Sequence, residues 1–355
     1  MDVRVGVPDD PSASLFAAYA VTAPQPKFDN FPFPINKTEK NGFLLAKSTK
    51  VRYSKVNPYD IFPCIFRKEF KRMIFEILKA VLFGIVEGIT EWLPVSSTGH
   101  IILLDEFIKL NASEEFKSMF DVVIQLGAIL AVIVIFFNKL NPFDPRKNPK
   151  KKKATWELWF KVCLAILPSG IVGVLFDDWM EDHLHNAVVV SLMLILYGIA
   201  FIFVEKRNQG IEPRIKKVWN IDYKTALLIG CFQCLSLIPG TSRSGSTILG
   251  AILLGVGRSA GSEFSFFMAI PTMLGASAIK LLKFLLSDAA VTGGEVAVLI
   301  VGTVVSFLVS MAAIKALMNY VRNHSFSAFG VYRIGLGIVV LAYFGINAAT
   351  EFFAA

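Results

Sequence analysis

The feature that most limits this chain is a set of apolar runs at about residues 119–137, 160–176, 187–204, 264–286, 296–318 and 328–348. Each approaches the roughly 20 residues an α-helix needs to cross the hydrocarbon of a bilayer. Two further apolar stretches, about 74–104 and 222–257, are interrupted in their middles by Pro, Ser and Gly. Lipid offers a backbone no hydrogen bonds, so irregular chain at membrane depth survives only where protein or a polar cavity satisfies it. Broken segments in matching places point to a midplane site built from repeats. The composition agrees: 54% of the 355 residues are hydrophobic and only 18% charged. A soluble domain carries about 25% charged residues, so a water-soluble globular enzyme is close to excluded.

The breaks read Leu93-Pro94-Val95-Ser96-Ser97-Thr98-Gly99-His100 and Ile238-Pro239-Gly240-Thr241-Ser242-Arg243-Ser244-Gly245-Ser246. Placing Pro94 on Pro239 sets Ser96-Ser97-Thr98 against Thr241-Ser242-Arg243, with one intact span after each break. The expected fold is an all-α polytopic membrane protein of two inverted repeats, about 74–204 and 222–348. Each repeat is one re-entrant broken helical hairpin plus three transmembrane helices. Loops 138–158 and 205–220 are rich in Lys and Arg, whereas 177–186 and 287–295 carry only acidic charges. The positive-inside rule puts the first pair in the cytoplasm and the second outside. Span counting then brings the first hairpin in from outside and the second from inside. Arg67, Lys68, Lys71 and Arg72 run against that scheme.

The net charge of +8 is no nucleic-acid signal, because residues 1–72 supply +5 of it (12 Lys/Arg against 7 Asp/Glu). That stretch, punctuated by Pro24, Pro26, Pro32, Pro34, Pro58 and Pro63, reads as a polar, disordered extension. The membrane domain is expected to begin at Met73 and run to the end, with its first segment as its own signal. Cys231 and Cys234 are spaced C-x-x-C within an apolar segment and read as a buried pair of small hydrophobes, not a redox or metal motif.

Glu87 and Glu91 lie four apart on one helix face, among Ile85, Val86, Ile89, Trp92 and Leu93. Two like charges at that spacing repel and are costly at membrane depth. A proton, a cationic partner or a shared divalent metal must offset them. Ser96, Ser97 and Thr98 offer hydroxyls at a helix break, an anion cradle, and His100 a general acid/base or nucleophile. Arg243 brings a planar fork that fits phosphate, among Ser242, Ser244 and Ser246. The spacing from Gly240 to Gly245 resembles a Walker A loop, but Ser246 stands where the Lys is required. Acidic groups, hydroxyls, a histidine and an arginine within a bilayer describe a site for a lipid-borne phosphate.

The runs Glu87-Gly88-Ile89-Thr90-Glu91-Trp92-Leu93-Pro94-Val95-Ser96-Ser97-Thr98-Gly99-His100 and Pro239-Gly240-Thr241-Ser242-Arg243-Ser244-Gly245-Ser246-Thr247 closely resemble the two signatures of the undecaprenyl-diphosphate phosphatase family. The resemblance spans about residues 74–348. It implies hydrolysis of undecaprenyl diphosphate to the monophosphate and phosphate, recycling the lipid carrier of bacterial wall synthesis, and bacitracin resistance on overproduction. It also implies a divalent cation (Mg or Ca) on Glu87 and Glu91, and a multi-pass protein of the bacterial cytoplasmic membrane whose site opens to the outer face. Ser97 and His100 match the family's catalytic pair and Arg243 its diphosphate contact, with Ser96, Thr98, Ser242, Ser244 and Ser246 as further phosphate contacts. Ser97 is favoured as nucleophile with His100 as acid/base, although either could attack phosphorus. Expected partners are undecaprenyl diphosphate and membrane lipid, no nucleic acid, with a homodimer left open. The type 2 phosphatidic acid phosphatases are a poor match, since Leu249 stands where their second motif needs His. A lipid-phosphate flippase with a midplane anion site is the rival from another class.

Overall fold

A computed structural model describes residues 58–184, 186–287 and 291–354. The apolar runs become helices because the helix alone satisfies a backbone within its own segment. Several start where a side chain can cap them. Ser113 accepts from the Phe116 amide ahead of the helix Glu114–Ile135, and Asn186 from the Val189 amide ahead of Ala187–Arg207. Thr292 and Glu295 form a reciprocal capping box at the start of Gly293–Asn323.

In chain order the helices are α1 (Pro58–Thr90), α2 (Ser97–Phe107), α3 (Glu114–Ile135), the short α4 (Phe137–Leu140), α5 (Pro149–Leu184) and α6 (Ala187–Arg207). Then follow α7 (Tyr223–Cys234), α8 (Arg243–Leu253), α9 (Arg258–Leu285), α10 (Gly293–Asn323) and α11 (Ser327–Ala354), with 3-10 turns at Val218–Asn220 and Leu235–Leu237. Among the described residues there is no strand, only an isolated bridge between Ile215 and Val256. Six helices, α3, α5, α6, α9, α10 and α11, are long and apolar enough to cross a membrane. They coincide with the six runs read from the sequence. The two interrupted stretches are α1 with α2 and α7 with α8, broken at 91–96 and 235–242.

The boundaries differ in instructive ways. Helix α1 begins at Pro58, ahead of the boundary expected at 73; proline suits a first helical turn. The rest of the expected extension, residues 1–57, lies outside the described residues. Lys150 to Lys153, expected in a loop, lie in the first turns of α5, where the Asn148 side chain accepts from the Lys151 amide. The acidic stretch 177–182 likewise continues α5 rather than forming a loop. Cys231 is exposed on α7 rather than buried, as a thiol on an apolar outer surface can be.

Helix α1 packs on α10, α3 on α10 and α9, α5 on α7, and α6 on α11. Small residues set the closest of these approaches, as in membrane helix pairs generally. A Cβ on Gly84 would meet the Gly302 carbonyl oxygen at 2.6 Å, and one on Gly88 the Ser306 carbonyl oxygen at 2.8 Å. The Ser310 hydroxyl donates to the Gly88 carbonyl at 3.2 Å. Glu87, on the same helix, and Glu91, one residue beyond its end, are thus held at a fixed depth against α10.

Candidate active site

The two breaks share one backbone device. Ser96 and Ser242 are the only non-glycine described residues with positive φ, 74° and 71°. Each caps the helix it precedes: Ser96 Oγ accepts from the Gly99 amide at 3.4 Å, Ser242 Oγ from the Gly245 amide at 3.2 Å. Left-handed backbone at a residue with a side chain costs about 1–3 kcal/mol and concentrates at functional sites. This geometry pairs Ser96-Ser97-Thr98-Gly99 with Ser242-Arg243-Ser244-Gly245, one place away from the Pro-on-Pro register. The reason is an extra loop residue: two positions separate Pro94 from its capping serine, three separate Pro239.

Glu91 is the hub. Its Oε2 accepts from Ser97 Oγ at 2.9 Å and its Oε1 from Arg243 Nη2 at 2.8 Å. Arg243 also donates to the Ser265 carbonyl at 3.0 Å, and its guanidinium lies 5.5 Å from the Trp92 ring. Both carboxylate and guanidinium are about nine-tenths buried, so their attraction is little screened. A hydroxyl, a carboxylate and a guanidinium from the two broken segments therefore meet in one hydrogen-bonded chain.

Glu87, one turn back, is 2% exposed, and its Oε1 has no partner. The Nε of Arg243 is also buried without a partner. An orphaned acceptor and an orphaned donor, on side chains that flank Glu91, are what a cation together with a phosphate would satisfy. No group of three or more His, Cys, Asp and Glu is found among the described residues. The donor set suits a magnesium-type ion, which uses one or two carboxylates and completes its shell from substrate oxygens and water.

His100 does not join Ser97. Its Nδ1 lies 2.7 Å from the Ser96 carbonyl oxygen, so that nitrogen carries the proton. Its Nε2 is 2.7 Å from the Tyr332 hydroxyl, and the rings stack 5.6 Å apart. Of the other expected phosphate contacts, Ser244 is buried and donates to the Glu91 and Leu93 carbonyls, stitching one loop to the other. Ser246 is fully buried. Thr98 is half-buried, with no side-chain hydrogen bond among the described residues.

Sequence reading missed Arg333 on α11, which is fully buried and donates to backbone carbonyls of both broken segments. It is the sole charge in the run 328–348. The argument that singled out Glu87 and Arg243, a charge where a bilayer penalises it, would have found it. Tyr332, beside it, was missed as well, because tyrosine in an apolar run carries no signal of its own.

Next to the site lies a cavity of about 820 Å³, lined by apolar side chains of α1, α10 and α11 with His100 and Tyr332 at its polar edge.

Residues 80–339 match the family described as Bacitracin resistance protein BacA. Relatives named Undecaprenyl-diphosphatase include that of Streptococcus mutans serotype c, 57% identical over 272 residues, which cover 76% of this chain and 97% of the relative. That of Enterococcus faecalis is 54% identical over 272 residues, 76% of this chain and 99% of the relative. Undecaprenyl-diphosphatase 1 of Clostridioides difficile is 60% identical over 271 residues, 76% of this chain and 97% of the relative. With its six apolar helices and a match over most of its length, this chain is a multi-pass membrane protein that belongs to the BacA family.

Proposed function

We propose that this protein hydrolyses undecaprenyl diphosphate to undecaprenyl phosphate and inorganic phosphate. The observation that carries the reading is Glu91 joining Ser97 and Arg243 across the two breaks. The names of the relatives agree with it, and the apolar cavity offers room for a polyprenyl chain beside a polar head site.

In this scheme Arg243 and the first-turn amides of α2 and α8 bind the diphosphate, since helix N-termini favour anions. Ser97 Oγ attacks the terminal phosphorus while its proton passes to Glu91 Oε2. The bond from phosphorus to the bridging oxygen breaks, and undecaprenyl phosphate leaves with the electron pair and takes that proton from Glu91. Water, giving its proton to the freed carboxylate, then cleaves the phosphoserine, and Glu91 returns the proton to Ser97 Oγ as phosphate leaves. A divalent cation, Mg or Ca, held by Glu87 and Glu91 would supply charge neutralisation to the diphosphate oxygens. Arg243 holds Glu91 beside Ser97 and offers its positive charge to the leaving phosphate, and burial of the pair excludes bulk water. His100, bonded away from Ser97, serves at the cavity edge: its Nε2 takes or gives a proton through the Tyr332 hydroxyl.

The same reading makes the chain two inverted repeats, each a re-entrant hairpin and three spans. It is supported by helix pairings that survive exchange of the halves: α1 on α10 answers α7 on α5, α3 on α10 answers α9 on α5, and α6 with α11 and α3 with α9 answer themselves. The shared capping at Ser96 and Ser242 is a second support. The loop charges favour a first hairpin entering from outside and a site open to the outer face of the bacterial cytoplasmic membrane.

Release of inorganic phosphate from undecaprenyl diphosphate by the purified protein in detergent tests the function. Release that is lost in Glu91→Gln and Arg243→Ala supports it. No release from any polyprenyl diphosphate sinks it.

A further inference from the structure

One buried charge plays no part in that scheme. Arg333 Nη1 donates to the Pro94 carbonyl at 3.1 Å, and Nη2 to the Gly240 and Thr241 carbonyls at 2.9 Å each. Its guanidinium lies 5.5 Å from the Tyr197 ring, and its Nε has no partner. No carboxylate pairs with it among the described residues. Packing of α11 against α6 does not call for a charge here, and an apolar side chain of similar volume would be buried more readily.

The three carbonyls belong to both breaks, immediately before Ser96-Ser97 and Ser242-Arg243. All described peptides are trans, so the carbonyl and the N–H of one peptide point in opposite directions. Drawing these carbonyls towards Arg333 turns the amides of Val95, Thr241 and Ser242 away from it. Arg333 therefore fixes the orientation of the backbone that leads into both capping serines. The first turn of α8 makes room for it: a Cβ on Gly245 would meet Nη1 at 3.2 Å.

We propose that Arg333 is a positioning residue, setting the span between Ser97 at the start of α2 and Arg243 at the start of α8 through the loop carbonyls. This rests on the diphosphatase reading, in which attack by Ser97 and the Arg243 clamp must meet on one phosphorus. Misplacement by about 1 Å costs on the order of 100-fold in rate. Binding of the lipid tail, which lies elsewhere, changes little.

The test is steady-state hydrolysis of undecaprenyl diphosphate by the full-length protein, with melting temperature measured in the same detergent, for wild type, Arg333→Met and Arg333→Lys. Arg333→Met is expected to lower kcat by about 100-fold with KM within about threefold. Arg333→Lys, which keeps a donor for some of the carbonyls, is expected to recover part of the loss. Wild-type kcat in Arg333→Met overturns the proposal, as does a loss that appears in KM alone. If Arg333→Met melts early, Arg333→Lys decides: reduced kcat at wild-type melting temperature supports positioning, and unchanged kcat overturns it. An inactive wild type is a different result, since it removes the diphosphatase reading and the positioning role with it.

Discussion

At the scale of single residues, the site is a set of buried charges whose balance depends on every partner. Removing Arg243 leaves Glu91 buried and uncompensated, which costs about 3–5 kcal/mol. Arg243→Met should therefore melt well below wild type, and the double variant Glu91→Gln/Arg243→Met above the single one, although neither releases phosphate. Additive losses in melting temperature would deny the coupling. Glu87 makes the opposite case. Its Oε1 is buried without a partner, so an amide in its place removes a charge that the fold alone does not satisfy. Glu87→Gln should hold or raise the melting temperature while lowering phosphate release on the order of 100-fold or more. A melting temperature clearly below wild type would show that Glu87 serves the fold instead. Glu87, Glu91 and Arg243 were legible because the bilayer makes a charge at its depth conspicuous. Their partners were not: four-residue spacing put Glu87 and Glu91 on one face, but nothing local says that Glu91 rather than His100 receives the Ser97 hydroxyl. That choice is made by the turn at Ser96, which directs His100 Nδ1 back onto its own carbonyl.

At the scale of elements, depth and register come from close helix contacts. Gly88 lets α1 approach α10 until backbone touches backbone, with Glu87 one residue before it and Glu91 three after. Gly88→Val is expected to push α1 away from α10, lowering both melting temperature and phosphate release, whereas Leu82→Val, at an exposed position on the same helix, should change neither. Equal behaviour of the two variants in a melting scan and a release assay would count against this. Six spans could be read from hydropathy because apolar runs of spanning length have few alternatives. The short helices on either side of each break were legible only as interruptions. Their register depends on the left-handed serines at 96 and 242, and a proline alignment cannot count the extra loop residue that precedes Ser242.

At the scale of the whole molecule, two broken segments from distant parts of the chain meet around Glu91, Arg243 and Arg333, beside an apolar cavity. The match to the BacA family begins at residue 80, after the first turns of α1. A chain starting at Met73 is accordingly expected to insert and to release phosphate at the full-length rate. A rate lowered tenfold or more would assign residues 1–72 a role in the enzyme. The sequence marks Arg333 as a charge in an apolar run, but not what it holds, because its partners are carbonyls more than 90 positions away. The central claim is that Ser97, held by Glu91, attacks the lipid diphosphate. The most direct measurement is the rate of phosphate release by Ser97→Ala beside wild type and His100→Asn, each at saturating undecaprenyl diphosphate. The account predicts that Ser97→Ala falls by about 1,000-fold or more at an unchanged melting temperature, on the scale of losing an enzyme's nucleophile, while His100→Asn keeps measurable release. Release by Ser97→Ala within tenfold of wild type, with His100→Asn inactive, would contradict it.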